Sequence, residues 1–295
     1  MLILISDAFD ASLADKLSVF GEVTNDKQRL SEANVVLVRS KTVCTKEYIE
    51  QVPNLKLIIR GGVGIDNIDK EFAESKGIIV RNTPKSSSIA VAELVMAHLI
   101  SAPTHIIEYH NGMKEGKWLK KQIKRTELYG KTLCLFGIGN IAQKVADRAS
   151  AFGMKVVAYD KYVSSSDKAE MKATPELAIK DADYVSLHMP LTEETRGMIN
   201  SKLIANCTRV PVVINTCRGP VVDADDMCAL LEANKVALYC TDVYPSDPPS
   251  EDYVILKQEK VILTPHVGAN TNENLLRIGD EAFAIIDELS KGGKL

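Results

Sequence analysis

The 295-residue sequence has no marked excess of charge: 36 Lys and Arg stand against 39 Asp and Glu, a net −3. A balance this even gives no electrostatic case for nucleic acid or an anionic membrane as a partner. No apolar run approaches the roughly 18 uncharged residues needed to cross a bilayer. Met1 leads directly into Leu2-Ile3-Leu4-Ile5, without the basic start and small-residue cleavage site of a secretory signal. The six cysteines (Cys44, Cys134, Cys207, Cys217, Cys228, Cys240) form no Cys-x-x-Cys pair and no Cys/His ligand spacing. No metal site is therefore expected, and a reducing cytoplasm is the simplest setting. Cys134 and Cys240 lie inside apolar runs and read as small core residues. Cys217, beside Arg218, is the one thiol worth testing for reactivity against the reading of buried filler. Repeats and low-complexity segments are absent too. Histidine is scarce, five in all, so the position of each carries weight.

What is present is alternation. Short β-rich runs recur between helix-like segments: Leu2–Ser6, Val35–Val38, Leu55–Ile59 and Ile78–Val80 in the first half. In the second they are Leu133–Phe136, Val156–Tyr159, Tyr184–Leu187, Val212–Asn215, Val236–Thr241 and Val261–Thr264. Alternation of this kind means βαβ units and parallel sheets, and the length suits two domains. Ser88 to Ser101 is apolar on nearly every face, with Ser86–Ser88 available as a cap, and predicts a helix packed on all sides between the domains. The polar stretch Glu108 to Thr126 reads as a surface crossing. Asn274 to Leu289 has apolar residues at helical spacing and predicts a last helix returning to the first domain. The fold class is thus α/β. A discontinuous, flavodoxin-like substrate-binding domain (1–96, completed by 271–295) accompanies a Rossmann dinucleotide-binding domain (97–270).

Leu133–Phe136 runs into Gly137-Ile138-Gly139-Asn140-Ile141-Ala142. Gly137 permits the tight turn, Gly139 lets backbone amides approach a pyrophosphate at a helix N-terminus, and Ala142 allows close helix–strand packing. The next strand ends in Tyr159-Asp160, where a carboxylate can accept from a ribose 2′-hydroxyl and repel a 2′-phosphate. NAD is favoured over NADP, although Lys161 and Arg148 stand nearby with the opposite charge. His188-Met189-Pro190 closes another strand at the same edge, and His188 reads as a hydrogen-bonded strand-end residue rather than a catalytic one.

Three further runs end in reactive groups: Val212–Cys217 in Arg218, Val236–Thr241 in Asp242 with Asp247-Pro248 beyond, and Val261–Pro265 in His266. A guanidinium, a carboxylate and an imidazole would converge on the carboxyl edge of a parallel sheet, where open α/β sheets bind ligands. Oxidising a hydroxyl needs a base that titrates near neutrality, and histidine is that residue type. It also needs a fixed cation for a carboxylate or developing carbonyl, which suits Arg218. Asp247 could orient His266 and stabilise its protonated form, or belong to a rigid, solvated turn, Pro245-Ser246-Asp247-Pro248-Pro249.

The segments Asn215-Thr216-Cys217-Arg218-Gly219-Pro220-Val221-Val222-Asp223, Asp242-Val243-Tyr244 with Asp247-Pro248, and Thr264-Pro265-His266-Val267-Gly268-Ala269 resemble signatures of the D-isomer-specific 2-hydroxyacid dehydrogenases. Arg60-Gly61-Gly62-Val63-Gly64-Ile65-Asp66-Asn67-Ile68-Asp69, Asn82-Thr83-Pro84, Val91-Ala92-Glu93 and His188-Met189-Pro190-Leu191-Thr192 are similar to that family as well, so the likeness spans nearly the whole chain. It implies Arg218 as a substrate-binding catalytic residue, His266 as acid/base and Asp247 at the acidic partner's position. It implies NAD contacts from Val91, Gly137, Gly139, Asn140, Ile141, Asp160, His188, Met189, Pro190, Thr195, Thr216, Cys217, Arg218, Asp242, His266, Gly268 and Ala269. A homodimer through the cofactor domains is also implied. The family usually has Glu where this chain has Asp247, so the carboxylate is one methylene shorter. Glu251 could substitute only in a re-registered loop.

Within the family, Arg39-Ser40-Lys41-Thr42, Arg60 before Gly62-Val63-Gly64, Gly116-Lys117-Trp118 and Gly268-Ala269-Asn270-Thr271 resemble the D-3-phosphoglycerate dehydrogenase branch. Gly62, Val63 and Gly64 can offer backbone amides to a carboxylate, and Arg39, Lys41 and Arg60 can bind a phosphate. The expectation is NAD-dependent oxidation of D-3-phosphoglycerate, the first step of the phosphorylated serine pathway. The extra regulatory domain of some relatives is not expected here, nor is serine feedback through it. The alternatives are a glyoxylate or hydroxypyruvate reductase with the same machinery, or a dinucleotide-sensing binding protein. A formate dehydrogenase is disfavoured, because its pattern has glutamine at the acidic partner's position.

Overall fold

In the computed structural model, which describes residues 1–295, the chain divides into two compact units: residues 1–90 with 269–295, and residues 91–268. The crossings thus fall six and two residues before those expected, at Ala90/Val91 and Gly268/Ala269. The first difference arises inside one helix, Ser88–Thr104. Its opening turn goes with the first unit, while Ala92, Val95, Met96 and Leu99 are part of a core cluster of the second. Neither Ser86 nor Ser87 spends its hydroxyl on capping that helix. Ser86 Oγ bonds the Glu281 carboxylate and the Arg277 carbonyl (3.2 Å), and Ser87 Oγ accepts from Asn274 Nδ2 at 3.3 Å.

The first unit holds a parallel five-stranded sheet of β1 (Leu2–Ile5), β2 (Glu22–Thr24), β3 (Val35–Val38), β4 (Leu57–Arg60) and β5 (Ile79–Asn82), in the order β2-β1-β3-β4-β5. That is the flavodoxin-like order, with its switch point between β1 and β3. Residues β1 and β3 contribute are apolar on both faces because both faces are covered. The register aligns Leu4, Val36 and Ile58 on one face, and Ile3, Val35 and Leu57 on the other. Against the second face pack Ala282, Ile286 and Leu289 of the helix Asn272–Lys291, whose Thr271 cap accepts from Asn274 N at 3.1 Å.

The second unit holds a parallel seven-stranded sheet: β6 (Thr132–Phe136), β7 (Lys155–Tyr159), β8 (Glu170–Met171), β9 (Tyr184–Leu187), β10 (Val212–Asn215), β11 (Leu238–Thr241) and β12 (Val261–Leu263). Its order, β12-β11-β10-β9-β6-β7-β8, is the doubly wound Rossmann order extended by one strand. The register pairs Phe136, Leu187, Asn215, Thr241 and Leu263 across five strands. The residues that follow each of them, Gly137, His188, Thr216, Asp242 and Thr264, therefore emerge in one row at the carboxyl edge.

The strands β2 and β8 and a helix at Ile106–Lys114 were not anticipated. The segment read as a surface crossing from Glu108 to Thr126 is therefore helical in its first part, with a single 3-10 turn at Leu119–Lys121 in its otherwise irregular remainder. No single helix is long and apolar enough to cross a membrane.

Candidate active site

The glycine-rich turn is built by backbone geometry. Gly137 adopts φ +90°, and a Cβ there would lie 2.7 Å from the His188 carbonyl oxygen, so neither the torsion nor the space admits a side chain. Gly139 caps the helix Asn140–Ala151 without any side-chain cap, and a Cβ on it would meet nothing within 4 Å. The open space over uncapped helical amides is the cradle a pyrophosphate requires. Asp160 is wired to this turn. It accepts from Ile138 N at 3.0 Å with one oxygen, and from Tyr162 N (2.8 Å) and Val163 N (3.2 Å) with the other.

Beside the turn lies a cavity of about 370 Å³ whose wall includes Gly139, Asp160, Lys161, His188, Met189 and Thr195. Pro190 also lines it, and its carbonyl accepts from Thr195 Oγ1 at 2.7 Å. The His188 ring meets Ser186 Oγ at 2.9 Å, and desolvation pushes its pKa down to about 3. It is neutral at physiological pH. The Thr216 hydroxyl is buried with no partner in the chain, an orphan that a bound cofactor could satisfy.

Two residues beyond Thr216 and Thr264 of the strand-end row stand Arg218 and His266. Arg218 is held at both ends: its carbonyl accepts from Asn215 Nδ2 at 2.9 Å, and its Nη1 donates to the Cys217 carbonyl at 2.6 Å. Fully buried Asn215 also accepts from Cys217 N and Sγ (3.1 and 3.2 Å), so one amide shapes the whole turn after β10. Burial pushes the Cys217 thiol up to about 11, which argues against a reactive thiolate.

Asp242, only 2% exposed, accepts from Thr264 Oγ1 (2.6 Å) and Val267 N (2.8 Å) with one oxygen and from Gly268 N (2.8 Å) with the other. It braces both sides of His266 and has three partners within the chain before any cofactor is considered. Val91 packs beside Gly268. His266 itself sits at φ 54°, and its Nδ1 is bonded to the Asp247 carboxylate. The shortened acidic side chain makes this contact; Glu251 does not. Nδ1 being engaged, Nε2 is the nitrogen available for proton transfer.

In the first unit the register pairs Val38 with Arg60, so Arg39 and Arg60 emerge from adjacent strands at the carboxyl edge. Arg39 is half-buried, with Nη2 on the Ala269 carbonyl (3.3 Å) and Nη1 on that of Ala8 (3.4 Å). Burial lowers its pKa and nearby Asp7 opposes the shift. Lys41 is exposed. The Arg60 guanidinium lies over Gly62, where a Cβ would come 1.5 Å from Nη1.

The amide of Gly62 is not available to a ligand, contrary to expectation: it donates to Thr83 Oγ1 at 2.7 Å. The amides of Val63 and Gly64 make no such bond. Sequence reasoning missed the residues that hold these loops. Asp7 accepts from Arg39 N (2.6 Å), Thr42 N (3.1 Å) and Thr42 Oγ1 (2.7 Å). Asn67 Nδ2 donates to the carbonyls of Arg39 and Thr42, both at 2.7 Å. An Asp directly after the first strand of a doubly wound sheet is the one signal that could have marked this brace.

A cofactor cradle, a strand-end imidazole paired with a carboxylate, and a fixed guanidinium on one parallel sheet define a dinucleotide-dependent oxidoreductase. Residues 96–268 match the NAD-binding domain of the D-isomer specific 2-hydroxyacid dehydrogenases, and the chain belongs to that family. It is 42% identical over 254 residues to a hydroxypyruvate reductase of Thermotoga maritima, covering 85% of this chain and 83% of that one. It is 39% identical over 283 residues to a D-3-phosphoglycerate dehydrogenase of Methanocaldococcus jannaschii, over 92% of this chain but 54% of the relative. Thus it spans little more than half the length of that phosphoglycerate dehydrogenase. The D-lactate dehydrogenase of Aquifex aeolicus, solved with NAD and lactic acid, superposes with a TM-score of 0.87 at 27% identity, over 99% of this chain and 96% of that one. The protein is an NAD-dependent 2-hydroxyacid dehydrogenase.

Proposed function

We propose that the enzyme oxidises D-3-phosphoglycerate to 3-phosphohydroxypyruvate, as the first step of the phosphorylated serine pathway in the cytoplasm. His266 Nε2 takes the hydroxyl proton, and the imidazolium so formed is stabilised by Asp247. Arg218 holds the substrate's carboxylate, and Thr216 and the Gly137–Ile141 turn orient the cofactor. NAD supplies the acceptor for the hydride that leaves the carbinol carbon. Oxidation releases a proton and reduction takes one up, so alkaline pH favours oxidation.

The observation that carries the substrate assignment is the cationic end of the first unit's sheet. Arg39 follows β3 and Arg60 ends its partner β4, Lys41 lies two residues beyond Arg39, and Asp7 and Asn67 hold the Arg39–Thr42 loop. Two cations on a braced loop and a third at the end of the adjacent strand are more than an uncharged side group needs. A second reading, hydroxypyruvate reductase, is favoured by the identity to the Thermotoga maritima relative.

A panel of 3-phosphoglycerate, hydroxypyruvate, glyoxylate and D-lactate separates the two. Phosphoglycerate is expected to have the highest kcat/KM with NAD; turnover of hydroxypyruvate or glyoxylate with none of phosphoglycerate overturns the assignment. Arg60→Ala is expected to raise KM for phosphoglycerate about tenfold or more, the loss of one charge-assisted contact. A similar loss with hydroxypyruvate would remove the phosphate argument.

We further propose a homodimer through the cofactor domains. The supporting observation is a run of exposed apolar side chains in the second unit, Ile106, Ile107, Met113 and Trp118, the last 70% exposed. Light scattering at micromolar concentration should return twice the chain mass; a monomer would refute it.

A further inference from the structure

We infer that Glu194 is a cofactor-specificity residue: by occupying Lys161 it denies a 2′-phosphate the cation that lines the ribose side of the dinucleotide cavity. The inference rests on the cofactor site described above and adds a residue to it.

Asp160 alone does not decide between the two dinucleotides, because Lys161 follows it directly and lines the same cavity. An unengaged ammonium there would offset the aspartate and attract a phosphate. Lys161 is not unengaged. Its Nζ donates to both oxygens of Glu194, at 2.5 and 2.6 Å, across 33 residues of sequence. Glu194 also lines the cavity. The three groups together carry one net negative charge (−1 +1 −1), facing the position where a 2′-phosphate would bring nearly two more.

The carboxylate of Asp160 cannot swing aside to relieve this, since three backbone amides hold it. The other cation that the sequence sets against Asp160 lies in the last turn of the helix Asn140–Ala151, away from the cavity wall, and is committed elsewhere. Arg148 is ion-paired with Glu93 at 3.5 Å and donates to the Lys144 carbonyl at 3.1 Å.

Stability does not account for the arrangement. The side chains of Lys161 and Glu194 are 51% and 65% exposed, and pairs that exposed contribute only about 0–1 kcal/mol to a fold. Their charge pattern acts on whatever enters the cavity. Removing the glutamate charge would leave Lys161 in place, still beside the ribose, but free to turn toward a phosphate.

The test compares the full-length protein with Glu194→Gln and with the double variant Glu194→Gln/Lys161→Met. The probes are 2′,5′-ADP and 5′-AMP, competed against NADH by fluorescence, alongside kcat/KM with NAD and NADP. The readout is the ratio of 2′,5′-ADP to 5′-AMP affinity. Glu194→Gln is expected to raise that ratio about tenfold, and the double variant to return it to the starting value. An unchanged ratio in the single variant overturns the inference, as does a gain that survives loss of Lys161. Failure of the unmodified protein to bind NADH would instead sink the cofactor site itself, so the two failures are distinguishable.

Discussion

Replacing His266 with alanine is expected to lower kcat for oxidation by about 10³-fold while NADH still binds. A positioned general base contributes roughly 10²–10⁴-fold, and no second group replaces it here. His188, at the same sheet edge, is held down to a pKa of about 3 and bonded to Ser186, so it neither titrates in the working range nor faces a free hydroxyl. The alanine variant has one complication. His266 occupies the left-handed region at φ 54°, which disfavours residues with a Cβ by about 1–2 kcal/mol. Alanine could shift the turn as well as remove the base. Asparagine tolerates that conformation better, so His266→Asn keeps the turn and removes the proton acceptor. Both variants should lose activity to a similar extent, with NADH affinity by fluorescence titration near that of the unmodified protein. An asparagine variant with near-normal kcat would refute the acid/base role.

The strand-end groups of the candidate site were legible in the sequence, and the long-range contacts that position them were not. Arg218, Asp242 and His266 announce themselves because each follows an apolar, β-branched run whose end can only be a sheet edge. The runs Val35–Val38, Tyr184–Leu187 and Val212–Asn215 are strands over those same residues. By contrast β2 (Glu-Val-Thr) and β8 (Glu-Met) lie on sheet edges, are short, and are paired on one side only, so they need no apolar pattern. The helix Ile106–Lys114 mixes polar and apolar residues and opens after a left-handed His105, which hides its start.

The braces escaped for a different reason. Asp7 bonds Thr42 at a separation of 35 residues, Asn67 reaches Arg39 at 28, and Asp242 reaches Gly268 at 26. A hydrogen bond over such a span leaves no local periodicity and no spacing rule. The same holds for Lys161 and Glu194, 33 residues apart, where the sequence showed a cation beside Asp160 but not its engagement. Only the register that sets Gly137, His188, Thr216, Asp242 and Thr264 in one row shows which strand ends can cooperate.

Arg218→Ala is expected to reduce kcat/KM by about 10³-fold, and Arg218→Lys to recover little of it. Two charge-assisted hydrogen bonds to a carboxylate are worth roughly 1.5–3 kcal/mol each, which brackets a loss of about 10²- to 10⁴-fold. Lysine keeps the charge but not the planar fork, and its ammonium cannot reproduce two parallel donors. The turn around Arg218 is suited to holding a fork in one orientation. Asn215 fixes its carbonyl at 2.9 Å, and the Cys217 carbonyl accepts from Nη1 at 2.6 Å. How the loss divides between the kinetic constants reports what Arg218 holds. A rise in KM with kcat retained means the carboxylate is bound equally in ground and transition states. A fall in kcat means the guanidinium acts on the oxygen whose charge changes during hydride transfer. Wild-type kcat/KM in the lysine variant would show that the charge alone suffices. Restoration of the alanine variant by added guanidinium, but not by ammonium, would show that the fork is what the reaction uses.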